Sequence, residues 1–199
     1  MSSKRPHRKG KRWRRTGRRL LPQGGNDRVY TPDQLAFDIV VHIGPSGRIM
    51  EPAAGHGAFV RAFDWLGLAY DWCELDLGRD FFDCRPSSRY DFIITNPPYS
   101  LFTRFLRHSM TVANNVVFLC PIPAWFQRAR ERVIAEAGFG IVEIARTPVP
   151  PPPFPQFGLS LGVAWLRRGW GASPQFTRLR TPLWPPVRDK MLVHSQEEL

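Results

Sequence analysis

The feature that most constrains the fold is an alternation of short strand-like and longer helix-like segments between residues 31 and 166. Strand-like segments are rich in β-branched and aromatic residues, whereas helix-like segments repeat apolar residues every three or four positions. The predicted strands cover residues 48–51, 69–75, 90–95, 116–120, 141–145 and 163–166, and the predicted helices cover residues 31–44, 58–66, 101–113 and 125–137. This alternation favours an α/β fold, in which a mostly parallel sheet carries helices on both faces.

The last two predicted strands have a different connection. Residues 147–158 read TPVPPPPFPQFG, which is too rich in proline to form a helix between them. Two strands joined without a crossover helix are expected to pair antiparallel. We therefore predict an antiparallel strand at the edge of the sheet, where proline in the loop removes no ladder hydrogen bonds.

Positive charge is concentrated in the N-terminal arm, residues 1–26. The chain has a net charge of +11, and the arm holds ten of its 28 Lys and Arg and none of its 17 Asp and Glu. A block of like charges repels itself and cannot bury a core, so the arm is predicted to be disordered when free. Residues Lys4 to Arg19 suit the phosphate backbone of a nucleic acid, although a solubility tail or a targeting signal remains an alternative.

The charge and composition divide the chain into three parts. We predict a disordered basic arm over residues 1–26, a folded domain over 27–168 and an irregular, proline-containing tail over 169–199. The chain has no apolar run of the roughly 18 residues that a membrane span needs. The cysteines Cys73, Cys84 and Cys120 lack the spacing of metal ligands, so we expect reduced thiols, no metal and a cytoplasmic protein, either nucleoid-associated or in a host cytoplasm.

A glycine-rich turn follows the first predicted strand. The sequence EPAAGHGAFV places Gly55 and Gly57 between that strand and the next helix, where glycines allow close approach of the backbone to a ligand. The third glycine of a dinucleotide fingerprint is missing, and the acid Glu51 ends the strand. A carboxylate here suits a cationic or hydroxyl-bearing ligand, and Glu74 follows at the end of the second strand, where an acid commonly binds ribose. The glycines could also serve only to pack the turn.

A second motif, Asn96-Pro97-Pro98-Tyr99, follows the third predicted strand. Ligands of open α/β sheets bind at the carboxyl ends of the strands, where this motif lies. The side-chain oxygen of Asn96 and the carbonyl of Pro97 could each accept one N–H of an amino group conjugated to a ring. Tyr99 could stack on a base swung out of its helix. The alternative is a rigid Pro-Pro turn with a packed tyrosine.

Together these motifs resemble the class I S-adenosylmethionine-dependent amino-methyltransferases of the adenine-N6 DNA type. Residues 51–59 are similar to the cofactor motif of that family and residues 96–99 to its catalytic tetrapeptide. Residues 30–32, Tyr-Thr-Pro, resemble the short element before the first helix, and residues 80–83, Asp-Phe-Phe-Asp, resemble the third motif. The resemblance covers about residues 29–168 and implies a Rossmann-like fold.

The resemblance also implies roles for particular residues. The catalytic ones would be Asn96, Pro97, Pro98 and Tyr99. The residues around S-adenosylmethionine would be Tyr30 and Thr31 at its methionine end, Glu51 at its amino group, Gly55 and Gly57 in the turn beneath it, Glu74 at its ribose, and Asp80 and Phe81 at its adenine. His56 occupies a variable position of the motif and is interpreted as a bystander, and Phe59 is expected to pack in the core.

The function that follows is methyl transfer to the N6 amino group of adenine in DNA, with the base flipped into the Asn-Pro-Pro-Tyr pocket. The alternatives are an RNA methyltransferase acting on adenine or guanine, a protein glutamine methyltransferase, and an inactive nucleic-acid-binding scaffold. Only 31 residues follow position 168, too few for a separate recognition domain. Sequence preference would then depend on loops such as residues 148–157, on the tails or on a protein partner.

Overall fold

The computed structural model describes residues 29–148, 150 and 160–179. Its helices are α1 Asp33–Ile43, α2 Ala58–Trp65, α3 Phe102–Val112 and α4 Arg128–Glu136. Its strands are β1 Ile49–Glu51, β2 Tyr70–Trp72, β3 Tyr90–Thr95, β4 Ala113–Pro121, β5 Phe139–Arg146, β6 Leu161–Arg168 and β7 Gln175–Arg178. Short 3-10 turns cover Leu75–Leu77, Phe81–Asp83, Tyr99–Leu101 and Ile122–Phe126.

The strands form one sheet in the order β2-β1-β3-β4-β6-β5-β7. The pairs β1–β2, β1–β3 and β3–β4 are parallel, whereas β6 runs antiparallel to both of its neighbours, β4 and β5. The predicted α/β fold with a mostly parallel sheet is confirmed, as is the antiparallel pairing of the last two predicted strands. The antiparallel strand β6 lies two places inside the edge, since β5 forms its outer neighbour and β7 extends the sheet further, parallel to β5.

Helices cover both faces of the sheet. One buried cluster contains apolar residues of α1 and α2, such as Ile39 and Phe63. The other contains apolar residues of α3 and α4, such as Leu106 and Ile134. The sheet lies between the two clusters. None of the helices in the described residues has the length and apolar character that crossing a membrane requires.

The predicted tail, residues 169–199, is partly regular, which corrects the expectation of an irregular segment. Gln175–Arg178 forms β7, because the outer side of β5 offers unpaired backbone groups that an extended segment can satisfy. Leu179 is buried against the cluster that contains α1 and α2. The remainder of the tail, the basic arm over residues 1–26 and nearly all of the loop over residues 148–157 lie outside the described residues.

The predicted fourth helix begins three residues later than expected. Ile122–Phe126 forms a 3-10 turn, and α4 starts only at Arg128. The reason is Trp125, which is 1% exposed and packs edge-on against Phe102. Burying this ring anchors the turn to the core at the carboxyl end of β4.

Candidate active site at the carboxyl edge of the sheet

Three polar side chains meet where β1, β2 and β3 end. Glu51 is the last residue of β1, Glu74 follows β2, and Asn96 directly follows β3. Because β1 pairs in parallel with both β2 and β3, the three chain segments leave the sheet at one edge. The sequence motifs are therefore brought together as the α/β fold predicts.

The glycine-rich turn links the first two of these segments. Gly55 and Gly57 have φ values of 53° and 79°, in the left-handed region that favours glycine. The Gly55 N–H donates to Glu74 Oε2 at 2.7 Å, and the Asp76 N–H donates to Glu74 Oε1 at 3.1 Å. Glu74 thus fixes the turn while its carboxylate remains partly exposed at the edge.

Glu51 is fully buried at the base of this turn. Its Oε1 accepts the Ala53 N–H at 2.9 Å, whereas no donor in the described part of the chain makes a hydrogen bond to Oε2. Burial raises the pKa of Glu51 to about 8, against the opposing effects of the Thr95 hydroxyl and the Ala53 N–H, and with a further increase from the charge of Glu74. A cation beside Oε2 would compensate the buried carboxylate.

In the side-chain amide of Asn96, the NH₂ group has hydrogen-bond acceptors, whereas the oxygen has no donor among the described residues. Its Nδ2 donates to the Val29 carbonyl at 2.9 Å and to Thr31 Oγ1 at 3.2 Å. Because the Val29 carbonyl can only accept a hydrogen bond, the amide atom of Asn96 that faces it must be the nitrogen. The Asn96 oxygen is buried and, among the described residues, has no hydrogen-bond donor. This oxygen is a preoriented acceptor.

The segment before α1 holds the two motifs together. Thr31 contacts Asn96 as described, and the ring of Tyr30 stacks on His56 with centroids 3.5 Å apart and planes 10° from parallel. His56, interpreted from the sequence as a bystander, is therefore a packing partner of Tyr30. Arg61 braces the same turn by donating to the His56 carbonyl at 2.6 Å and pairing with Asp33 at 2.5 Å.

The Pro-Pro turn continues directly into α3. The carbonyls of Pro98 and Tyr99 accept the N–H groups of Leu101 and Phe102, which closes the 3-10 turn. Pro97 is buried, whereas Pro98 and Tyr99 are partly exposed beside Asn96. The turn's own hydrogen bonds use carbonyls other than that of Pro97.

The residues predicted to hold a cofactor adenine occupy different environments. Asp80 is partly exposed and accepts the Phe82 N–H at 2.8 Å, so that it caps the short turn Phe81–Asp83. Phe81 is 2% exposed and stacks on Phe105 inside the core. Phe81 therefore contributes to the floor of this region, and its neighbour Phe82 carries the more accessible ring.

Sequence reasoning missed the contacts that position these groups. Val29 acts through its backbone carbonyl, which carries no sequence signal. His56 and Arg61 act through partners that are distant along the chain or through backbone groups. Thr95, 0% exposed between Glu51 and Asn96, could have been noticed as a polar residue that ends an otherwise apolar strand. Within the described residues, no three His, Cys, Asp or Glu side chains converge as metal ligands.

The fold is shared with solved structures of low sequence identity. A protein of Listeria monocytogenes, provisionally described as a class I S-adenosylmethionine-dependent methyltransferase, matches with a TM-score of 0.60 and 13% identity, over 84% of this chain and 71% of that one. A Pyrococcus horikoshii protein, provisionally described as an RNA methyltransferase, matches with a TM-score of 0.56 and 17% identity, over 70% of this chain and 86% of that one. The 23S rRNA methyltransferase ErmE matches with a TM-score of 0.50 and 13% identity, over 72% of each chain.

No protein-family model matches the sequence. The structural matches nevertheless define the class of fold: the chain has the Rossmann-like α/β fold of class I S-adenosylmethionine-dependent methyltransferases. A fold alone does not determine a substrate, so activity has to be argued from the site.

Proposed function

We propose that this protein transfers a methyl group from S-adenosylmethionine to the exocyclic N6 amino group of adenine in nucleic acid, with DNA as the first candidate. The observation that carries the proposal is the buried oxygen of Asn96, which has no donor among the described residues and lies at the edge where Glu51 and Glu74 also end. An amino group conjugated to a ring supplies the N–H donor that this acceptor lacks.

The residues at the edge fit the proposed cofactor. Glu51 Oε2 is a buried acceptor without a donor in the described chain, and the ammonium group of the cofactor's methionine part would compensate it. Glu74 keeps its carboxylate partly exposed above the glycine turn, where ribose hydroxyls could donate to it. We assign the methionine end to Tyr30, Thr31, Gly55 and Gly57 as well, and the adenine end to Asp80 and Phe81.

The chain's own groups would bind and polarise the target amine. Asn96 Oδ1 would accept one N–H and the Pro97 carbonyl the other, which draws the nitrogen lone pair out of conjugation with the ring. Tyr99 would stack on the flipped base. When bound, the cofactor supplies an electrophilic methyl group. The buried setting of Asn96 would strengthen these hydrogen bonds by excluding water.

Two nucleic acids, DNA and RNA, are candidates for the methylated polymer. The basic arm, with Lys4 to Arg19, would bind the backbone of either DNA or RNA. The Asn-Pro-Pro-Tyr motif favours DNA adenine by its resemblance. RNA is the second candidate, since one of the matching structures is an rRNA methyltransferase. We also propose that the basic arm over residues 1–26 is a separate part of the chain, and that the folded domain continues past residue 168 through β7 to Leu179. A protein partner is a further proposed source of target recognition.

The direct test is methylation of DNA and RNA pools with labelled cofactor, followed by identification of the modified base. We expect label in N6-methyladenine, in one pool far more than in the other. Label in guanine would exclude the adenine assignment, and label in a glutamine side chain of added protein would support a different substrate class. A folded protein that binds the cofactor and labels none of these would contradict the proposed activity.

We expect Glu74→Ala to weaken cofactor binding by about 1.5–3 kcal/mol, the usual contribution of a hydrogen bond to a charged group. Glu74 also holds Gly55, so part of the loss would come from a looser turn. Isothermal calorimetry with S-adenosylhomocysteine measures the change. Asp76→Ala is the matched control, because Asp76 is exposed and lies two residues further along. Equal losses in the two variants would argue against a specific role for Glu74.

A further inference from the structure

A strip of polar residues runs along the exposed face of α3. Arg104, Arg107, His108 and Thr111 recur at intervals of three or four residues, which places them on one side of the helix. The helix begins directly after the turn Tyr99–Leu101 and ends at Val112, where β4 starts at the opposite edge of the sheet. At 1.5 Å per residue, its 11 residues span about 16 Å.

A cleft lies between this face of α3 and the chain segment that precedes β3. Its volume is about 520 Å³, and its lining includes Arg85, Ser88, Arg89, His108 and Thr111. The pKa of His108 is lowered by burial and by the positive charges of Arg85 and Arg104, with Asp80 acting in the opposite sense. The cleft is therefore electropositive and rich in hydrogen-bond donors.

Two guanidinium groups converge at the end of α3, that of Arg89, which lines the cleft, and that of Arg168. Arg89 Nη1 donates to the carbonyls of Met110 and Ala113, at 3.1 and 3.2 Å, and Arg168 Nη2 donates to the same Met110 carbonyl at 2.8 Å. These bonds use one nitrogen of each guanidinium, which carries five N–H donors in all. Two like charges are thus held side by side with donors to spare.

None of these arginines forms an ion pair with a carboxylate among the described residues. The ion pairs found there involve His42, Arg48 and Arg61 and none of the arginines around α3. Arg104 rests on the ring of Phe82, 3.7 Å from its centroid, and Arg85 donates to the Phe82 and Cys84 carbonyls. Aromatic rings and backbone carbonyls orient these arginines, and no carboxylate of the described chain forms an ion pair with them. Arginines in such a setting are suited to bind phosphate oxygens.

We infer that Arg104, Arg107, Arg85, Arg89 and Arg168 form a track for the phosphate backbone of a polynucleotide. We call this set the α3 track. It leads from the Asn-Pro-Pro-Tyr turn to the opposite edge of the sheet, and its length matches about five nucleotide steps at 3.4 Å each. The inference rests on the proposed function, because it assigns the path of the same substrate. The track adds contacts within the folded domain to those proposed for the basic arm.

The test compares two full-length variants with equal charge loss. Arg104→Gln/Arg107→Gln removes two exposed track residues for which the structure gives no hydrogen bond to the backbone. Arg128→Gln/Arg132→Gln removes two exposed arginines of α4, a helix that also carries the exposed acids Glu131 and Glu136. Binding of a 30-nucleotide single strand and of the matching duplex is measured across a salt series.

We expect the α3 variant to bind more weakly and to lose about one unit of salt slope per arginine, while the α4 variant keeps the wild-type slope. Equal slopes for the α3 variant and wild type, or equal losses in both variants, would overturn the track. Poly-L-glutamate is the control for a ligand that is acidic but not a nucleic acid. If it bound wild type as tightly as the oligonucleotide did, and if the α3 variant lost the same affinity for it, the track would be overturned and its ligand would be an acidic protein. A wild type that binds the strands but methylates none would contradict the proposed function and leave the track standing.

Discussion

Asn96→Ala is expected to reduce methyl transfer on the order of 10²–10³-fold, the usual effect of removing one preoriented hydrogen-bonding group from a site. The substitution removes the buried oxygen that is proposed to accept the target N–H. Cofactor affinity should change less than the rate of transfer, because the Asn96 oxygen is assigned to the target and only the Nδ2 bonds to Val29 and Thr31 contact the segment assigned to the cofactor. Single-turnover kinetics with saturating polynucleotide separates the transfer step from binding.

The chain offers a matched control for this experiment. Asn115 on β4 is also half-buried, but both ends of its amide are satisfied, since it donates to the Asp91 carbonyl at 2.9 Å and accepts from Trp165 at 3.0 Å. Asn115→Ala should therefore lower stability and leave the rate of transfer nearly unchanged. If Asn96→Ala retained close to wild-type turnover, or if both variants lost activity equally, the assigned role of Asn96 would be wrong.

The fold could be predicted because local signals agree with the final packing. β3 has the predicted bounds, Tyr90–Thr95, because an apolar run ends there before Asn96 and Pro97. α1 ends as predicted, since Gly44 adopts φ 59° and closes the helix with a hydrogen bond to Val40. Where long-range contacts determine where an element begins or ends, its observed bounds differ from the predicted ones.

β4 shows such a shift, because it runs over Ala113–Pro121 and begins three residues earlier than predicted. Its first residues include Asn114 and Asn115, which are polar and give no strand signal. In the sheet, Asn115 pairs with Arg167 and bonds through its side chain to β3 and β6. These partners are distant in sequence, so no local pattern could reveal them. The strand β7 was missed for the same reason.

The residues of the candidate site could be predicted from the sequence, but the contacts between them could not. Motif order and the parallel sheet suffice to place Glu51, Glu74 and Asn96 at one edge. The contact between Thr31 and Asn96 spans 65 positions of the chain and depends on how α1 packs. The stacking of Tyr30 on His56 likewise depends on packing. Sequence motifs identify chemical groups, whereas the orientation of each group follows from long-range packing.

The stability of the ligand-free protein should fall as the pH rises from about 5 to above 8, and Glu51→Gln should remove most of that fall. The pKa of Glu51 is raised by burial from 4.5 to about 8, so the folded state keeps a proton that the unfolded state releases. Between these values the unfolded state binds fewer protons, and the free energy of unfolding decreases by about 1.4 kcal/mol per pH unit. The total is on the order of 5 kcal/mol. Urea unfolding at a series of pH values measures it.

Asp38→Asn is the matched control for Glu51→Gln. Asp38 is also buried and burial raises its pKa, but it lies on α1 and bonds to Gln34. The steep fall should persist in that variant, because Glu51 is intact.

Addition of S-adenosylhomocysteine extends the test, since its ammonium group favours the ionised form of Glu51 and binding should release a proton. The affinity of wild type should therefore increase with pH between 6 and 8, and that of Glu51→Gln should be weaker and nearly flat. A wild-type stability curve that runs parallel to the Glu51→Gln curve would show that Glu51 is already ionised, and that its buried oxygen is not held ready for a cation.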